Sequence, residues 1–412
     1  MNNEPGIPPS QTRNLREPET IFTRRSFMSR VAVVAPMAAL GGAAIPAAMA
    51  QSASSPELSQ PGGFLDVRQF GAKGDGKTDD TAAIQKAIDI ASRQVGGVFL
   101  PAATYACSEL HLRANVALVG IPGWGYSRPG GTILSLIDDK AASLLNITEA
   151  SCATIDGLSL KGNRLGTGIH GILLAKPDFG RREDSFRIER TQAGHFTGDG
   201  IHLSHVGCFS IRHCQSHSNA GDGVYCHGWD GFVMDNWFSA NHGAGWAGRI
   251  ASASVTMTAN RIEWNRVGLY LENTNNYIIN GNYFDRSGEA GICIAPKGQL
   301  PRSTTFVTIV GNMFCRNGAT ANPESLDSSA IRIEDAQGIT VIGNSFDARG
   351  GDGGTGRKSP SYGIVYRKLV NCVIKDNVMH NGATKELLVD LGEHGEGVIV
   401  KDNPGCIGFS TY

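Results

Sequence analysis

The sequence predicts an all-β protein: a single-stranded right-handed parallel β-helix, or solenoid, with an N-terminal capping helix. Three observations predict it. Gly followed by an apolar residue recurs at Gly200-Ile201, Gly223-Val224, Gly245-Trp246, Gly268-Leu269 and Gly291-Ile292, in steps of 22 or 23 residues. In a second register, an apolar β-rich run ends in Asn at Asn236, Asn260, Asn282, Asn312, Asn344 and Asn377, with Asn163 and Asn403 as outlying members. Finally, the units are rich in Gly, Asn, Thr, Val and Ile. They alternate as in Val255-Thr256-Met257-Thr258, which suits strands and not a helical repeat. Short strands at a fixed period, separated by turn residues, stack coil on coil.

Each column then has a structural task. Asn tolerates left-handed turns, and stacked amides bond to the coils above and below. Strand residues alternate inward and outward. Ile201, Val224, Trp246, Leu269 and Ile292 form one inward column. Leu203, Cys226, Gly248, Leu271 and Ile294 form the next. After residue 295 the coils lengthen, around Lys297–Thr305, Arg316–Ser329 and Ala348–Ser361. The Gly-rich run from Arg349 to Gly356 reads as a loop, since it lacks the GxxxxGK[ST] pattern of a phosphate cradle.

The solenoid begins after a linker at 51–62. In Phe64-Leu65-Asp66 through Ile88, the glycines make a turn and Asp79 or Asp80 caps a helix. Ile84, Ala87, Ile88 and Ala91 form its apolar face, and Gly96-Gly97-Val98-Phe99-Leu100 returns as a strand. This stretch resembles the N-terminal part of the pectate-lyase-like β-helix superfamily, including rhamnogalacturonase and epimerase-like members. The resemblance implies a helix that plugs the open end of the solenoid. Asp75, Asp79 and Asp80 are read as turn and cap residues, not as catalysts.

The first fifty residues read as a targeting segment. Thr23-Arg24-Arg25-Ser26-Phe27-Met28 is a twin-arginine signature, and an Ala/Gly-rich stretch follows from Val31 to Ile45. Ala48-Met49-Ala50 fits cleavage after Ala50. Pro36, Gly41, Gly42 and Pro46 argue against a permanent membrane helix, and no later stretch is long and apolar enough for one. The expected organisation is therefore a signal peptide (1–50), a linker (51–62) and a β-helix (63–412), reaching the periplasm or exterior through the twin-arginine export machinery. With its repeats, the layout resembles a family of twin-arginine-translocated β-helix proteins, which supplies no catalytic motif to carry over. The net charge of −1 and the absence of Lys/Arg runs point away from nucleic acid. The nine Cys, odd in number and without CxxC, read as buried small hydrophobes.

What the columns leave over is an outward stripe: His202, Tyr225, His227, Arg249, Tyr270, Glu272, Arg332, Glu334 and Arg367. Ring-bearing polar residues beside Arg and Glu on consecutive rungs suit proton transfer on an acidic sugar. Arg249 or Arg332 would bind the uronate carboxylate and acidify the neighbouring C–H. His202 or His227 would move the proton. Tyr225 or Tyr270 would stack on the sugar or act as the partner acid. Arg332, Glu334, Arg367 and Trp229 would hold the polysaccharide.

Two rival chemistries use other residues. Glycoside hydrolysis would use Asp199 and Asp222, at equivalent points of adjacent coils in Gly198-Asp199-Gly200 and Gly221-Asp222-Gly223. Asp in such a turn also has a purely structural explanation. No cofactor is required by the sequence, though a divalent ion on His202, His227 and Glu272 has suitable ligand types. A noncatalytic solenoid that binds envelope glycan or protein is the remaining alternative. His205, His213 and His217 read as exposed corner residues. Trp246 reads as core, while Trp237 and Trp264 suit either sugar stacking or turn covering.

Overall fold

The structure is a computed structural model that describes residues 63–94, 96–126, 130–180, 183–318, 320–349 and 359–410. The twin-arginine segment, the linker and most of the Gly-rich run after Arg349 lie outside these residues. Within them the strands pair in parallel throughout and form sheets of 22, 11 and 2 strands.

One coil shows how the sequence makes a solenoid. The strand Ile201–Arg212 bends where His205 and Cys208 take left-handed backbone conformations, and the pairing register shifts between Ser204 and Val206. It therefore supplies two faces of the coil, both belonging to the 22-stranded sheet. Left-handed His213 turns the chain into Gln215–His217, a strand of the 11-stranded sheet and the third face. Left-handed Ser218 then returns it to the next corner.

The Asn column is a hydrogen-bonded ladder. The side-chain amide of Asn236 donates to the Oδ1 of Asn260, and the same bond repeats through Asn282, Asn312, Asn344, Asn377 and Asn403 at 2.8–3.0 Å. Two expectations need correction. The left-handed residue is the one before each ladder Asn, namely Asp235, Ala259, Gly281, Gly311, Gly343, Asp376 and Asp402. The amide has to point inward along the stack, and that leaves the sharp turn to its predecessor. Asn163 does not join the ladder; it is itself left-handed and donates to Ser135 Oγ and Leu136 O. A second ladder, from Asn219 through Asn241 to Asn265, lies at another corner.

Both inward columns are buried, including Trp246. Gly248 belongs to one of them because space is needed: a Cβ there would lie 2.5 Å from the hydroxyl of Tyr277, which bonds to Ser252 at 2.7 Å. The cysteines are free; Cys107, Cys214, Cys226, Cys293, Cys315 and Cys372 are buried, whereas Cys152 and Cys406 are exposed.

The helix Thr81–Gln94 buries Ile84, Ala87, Ile88 and Ala91, as its spacing predicts. Asp79 accepts from the backbone of Thr81, and Asp80 reaches back to the amides of Lys73 and Gly74. Asp75 accepts from the amides of Lys77 and Thr78 and from the Thr78 hydroxyl, which hold its carboxyl down at about 2. All three carboxylates are thus occupied in turns and caps. No helix among the described residues is long and apolar enough to cross a membrane.

Candidate active site

The outward stripe occupies one face of the 22-stranded sheet, and its register is set by backbone pairing. His202 pairs with Tyr225, Tyr225 with Ala247, Ala247 with Tyr270, Tyr270 with Cys293, and Cys293 with Arg332. In the neighbouring outward column Ser204 pairs with His227, Arg249 with Glu272, and Glu334 with Arg367.

The polar geometry is tightest at His202. Its ring stacks on that of Tyr225, with centroids 4.4 Å apart and planes within 2°. Its Nδ1 lies 2.7 Å from Asp199 Oδ2. With Asp199 ionised, this bond places the ring proton on Nδ1 and the free lone pair on Nε2. Asp199 Oδ1 accepts the backbone N–H of Asp222 at 2.6 Å, and Asp222 Oδ1 in turn accepts that of Ala244 at 2.6 Å. The aspartates therefore do hold consecutive corners, as a turn role requires, but the second oxygen of Asp199 remains for His202.

His170 completes the cluster and was not among the residues expected from sequence. Its ring lies 4.5 Å from that of His202, and its Nδ1 accepts the backbone N–H of Asp199 at 3.0 Å. Burial holds this imidazole below its ordinary pKa, more strongly than Asp199 raises it. An acceptor Nδ1 agrees with a neutral ring, so the 3.5 Å approach to Asp199 Oδ2 is not an ion pair.

Burial, with Asp199 close by, pushes the Asp222 carboxyl up to about 6. The Tyr225 phenol is raised by burial against the opposing pull of Arg249, so it holds its proton at neutral pH.

Arg249 is the next element along the stripe. Its guanidinium lies 4.4 Å over the ring of Tyr270 and donates from Nη1 to Glu272 at 3.2 Å. Arg332 is held between Glu334 and Asp327, and Arg367 pairs with Glu393. The arginines expected to grip a substrate carboxylate thus already face carboxylates. Among these, Arg332 carries two acidic partners, which makes it the poorest anchor. Arg249 has a single carboxylate partner and five N–H donors.

His227 is set apart from the cluster. It is 9% exposed, with its ring 4.3 Å from that of His205 and 5.3 Å from that of Phe179. Phe179 also stacks on Trp229 at 3.7 Å, covering one face of the expected sugar platform. Phe179 comes from the insertion after the strand His170–Ala175, where Lys176 pairs with Asp184. Phe179 thus walls the stripe beside His227 and Trp229. Farther along, Tyr270, Cys293, Pro296, Asp327 and Arg332 enclose a cavity of about 170 Å³. Trp237 donates to Glu263, and Trp264 carries Arg286 over its ring at 4.8 Å.

The ligand-type atoms of His170, Asp199 and His202 lie within 4.8 Å of one another. The arrangement is a hydrogen-bonded one, however. Both imidazole Nδ1 atoms are engaged, one as donor to Asp199 Oδ2 and one as acceptor from its backbone. His227 and Glu272, named with His202 as metal-ligand types, are engaged elsewhere, with His205 and Arg249. One further expectation is corrected: His217 is buried, not an exposed corner.

Together, fold and site define a parallel β-helix that presents a half-buried His–Asp pair and a tyrosine on one outward sheet face. The chain belongs to the right-handed β-helix family, whose model matches residues 199–366 and, overlapping, 249–407, together just over half of the chain. A second model, "Rhamnogalacturonase A/epimerase, pectate lyase-like", matches residues 64–129. The chain is 31% identical to alginate lyase 7 of Azotobacter vinelandii over 199 residues, covering 43% of this chain and 22% of that protein. It is 28% identical to mannuronan C5-epimerase AlgE5 of the same organism over 276 residues, covering 61% of this chain and 25% of that one. The chain thus spans about a quarter of the length of these relatives. The A-module of mannuronan C-5 epimerase AlgE6 of A. vinelandii superposes with a TM-score of 0.65 at 21% identity, covering 83% of this chain and 99% of the module. At that identity the likeness shows the fold.

Proposed function

We propose that the protein acts on a uronate-containing polysaccharide by removing the proton beside the sugar carboxylate, the step shared by lyases and C5-epimerases. The observation that carries this is the Asp199–His202–Tyr225 arrangement, a base oriented by a carboxylate with a protonated phenol stacked against it. Similarity to an alginate lyase and to mannuronan C5-epimerases supports the substrate class.

In this reading Arg249 meets the uronate carboxylate and stabilises the charge that develops there as the C–H bond breaks. His202 Nε2 takes the proton, while Asp199 stabilises the imidazolium that forms. For elimination, the electron pair moves into the C4–C5 bond and the C4–O bond breaks. Tyr225 supplies a proton to the leaving oxygen. For epimerisation, Tyr225 gives its proton to the same carbon from the opposite face, and exchange with solvent later restores both Tyr225 and His202. Tyr270 then flanks the sugar chain and need not exchange protons with it, whereas His227 stays packed between Phe179 and His205. The twin-arginine signature implies that this chemistry takes place outside the cytoplasm.

A second reading has one observation in its favour. A carboxyl held at about 6, that of Asp222, is what a general acid for glycoside hydrolysis needs.

The test is incubation with alginate, pectate and neutral glycans, following unsaturated uronate absorbance, reducing ends and solvent deuterium uptake. Unsaturation or deuterium uptake on a polyuronide, lost in His202→Ala, is expected. New reducing ends without unsaturation, lost in Asp222→Asn, would establish the hydrolase instead. Binding without turnover, unaffected by His202→Ala, would leave a noncatalytic solenoid.

A further inference from the structure

The third face of the solenoid carries a cavity of about 260 Å³ that the proposed chemistry does not use. Its floor is the outward side of the 11-stranded sheet, where Ser159 pairs with Gln192, and Lys161 with Gly194. Its wall is the segment around Trp124 to Tyr126, fastened from below. The Gln192 and Gln215 side chains donate to the backbone carbonyls of Gly125 and Trp124, each at 3.3 Å. Tyr126 stacks on His217 at 4.4 Å, and His195 meets the edge of His217 at 5.4 Å. Gly194 makes room for this ring: a Cβ there would sit 2.8 Å from His217 Cε1.

The chemistry of the lining is selective. It combines an aromatic wall, hydroxyl and amide groups on the floor, and the amine of Lys161. None of the lining side chains is acidic. Lys161 has no ion pair among the described residues, unlike Arg249, Arg332 and Arg367 on the first face. Burial is the main reason that the His195 imidazole is hard to protonate, and the nearby charges of Arg164 and Lys161 add to it. Burial likewise holds His217 at about 4, so at neutral pH it is a neutral stacking surface. An aromatic face suits the C–H face of a sugar ring, hydroxyls and amides suit its hydroxyl groups, and an unpaired ammonium suits a carboxylate.

We propose that this cavity binds one acidic monosaccharide unit, a uronate, at a site separate from the His202 stripe. It would anchor a polyuronide, or a released unit, on a different face from the one where the chain is modified. The site stands on its own lining and does not depend on turnover at His202.

The test is binding to the intact protein, by calorimetry and saturation-transfer NMR, with galacturonate and galactose as probes. Galacturonate should bind at least tenfold more tightly than galactose. Lys161→Met and Tyr126→Ala, with unchanged circular dichroism, should each weaken it tenfold or more, whereas His202→Ala should leave it intact. Equal affinity for the two sugars would overturn the proposal. So would galacturonate binding that survives both cavity variants when Arg249 on the first face is also replaced by Ala, or none at millimolar sugar. Absence of lyase or epimerase activity would bear on the first face alone.

Discussion

The carboxylate of Asp199 is divided between two coils: Oδ2 lies 2.7 Å from His202 Nδ1, and Oδ1 accepts the Asp222 backbone N–H at 2.6 Å. One side chain thus orients the candidate base and ties its corner to the next coil. The two roles separate by mutation. In Asp199→Asn the amide oxygen still accepts at the corner, but the NH2 group faces Nδ1 and drives the ring proton to Nε2. Turnover should fall about 10²- to 10⁴-fold, while the melting temperature changes little. In Asp199→Ala the corner bond is lost as well, costing a further ~1–3 kcal/mol in chemical denaturation. Equal activity in Asp199→Asn and the parent would remove His202 from the mechanism.

Arg249→Lys keeps the charge but loses the planar fork over Tyr270. If Arg249 grips the substrate carboxylate, KM for a polyuronide should rise about tenfold or more, corresponding to ~1.4 kcal/mol. Steady-state kinetics decide this. Arg332→Lys serves as the control, because Arg332 is already held by two carboxylates and should matter less.

Asp222 sets a pH dependence of known sign. Its carboxyl rises from an ordinary 3.8 to about 6 on folding. The native state therefore binds more protons than the unfolded chain between those values. Stability from this group should fall as pH rises through that window, by on the order of 3 kcal/mol once both states are ionised. Asp222→Asn keeps an acceptor for the Ala244 amide and should be more stable than the parent above pH 6, with the difference vanishing below about pH 4. Urea denaturation at pH 4, 5, 6 and 7.5 measures it.

His217 acts in the opposite direction. Its imidazole falls from 6.5 to about 4 on burial. Protonation favours the unfolded chain, so stability should be lost as pH falls from 6.5 through 4. His217→Phe should flatten the acid limb of the stability profile. An unchanged limb would show that this ring is not the group responsible.

The ladder can be tested at its centre. Asn312 Oδ1 accepts from the backbone and amide of Asn282, and its own amide donates to Asn344 Oδ1 and Ile279 O, all within 3.0 Å. Asn312→Ala leaves several buried groups without partners and should cost about 2–5 kcal/mol in a denaturant titration. A loss below 1 kcal/mol would mean that the ladder is filled by water in the variant.

Strand alternation and a 22- or 23-residue period were enough to read the coils, both inward columns and the outward stripe. These are one-dimensional properties, because a parallel solenoid repeats its pairing from coil to coil. They placed His202 beside Tyr225, and Arg249 beside Glu272. What they did not reveal came from residues outside the period. Gly171-Ile172 pairs one coil below Gly200-Ile201, but an insertion stretches that step to 29 residues, so His170 falls outside the 22- or 23-residue register. Phe179, from the same insertion, buries His227 against His205, a contact that no spacing encodes. The chain alone determined which side chains face outward. Only the tertiary structure decided which of them meet, because that depends on where the insertions fold and on which partner takes each carboxylate oxygen.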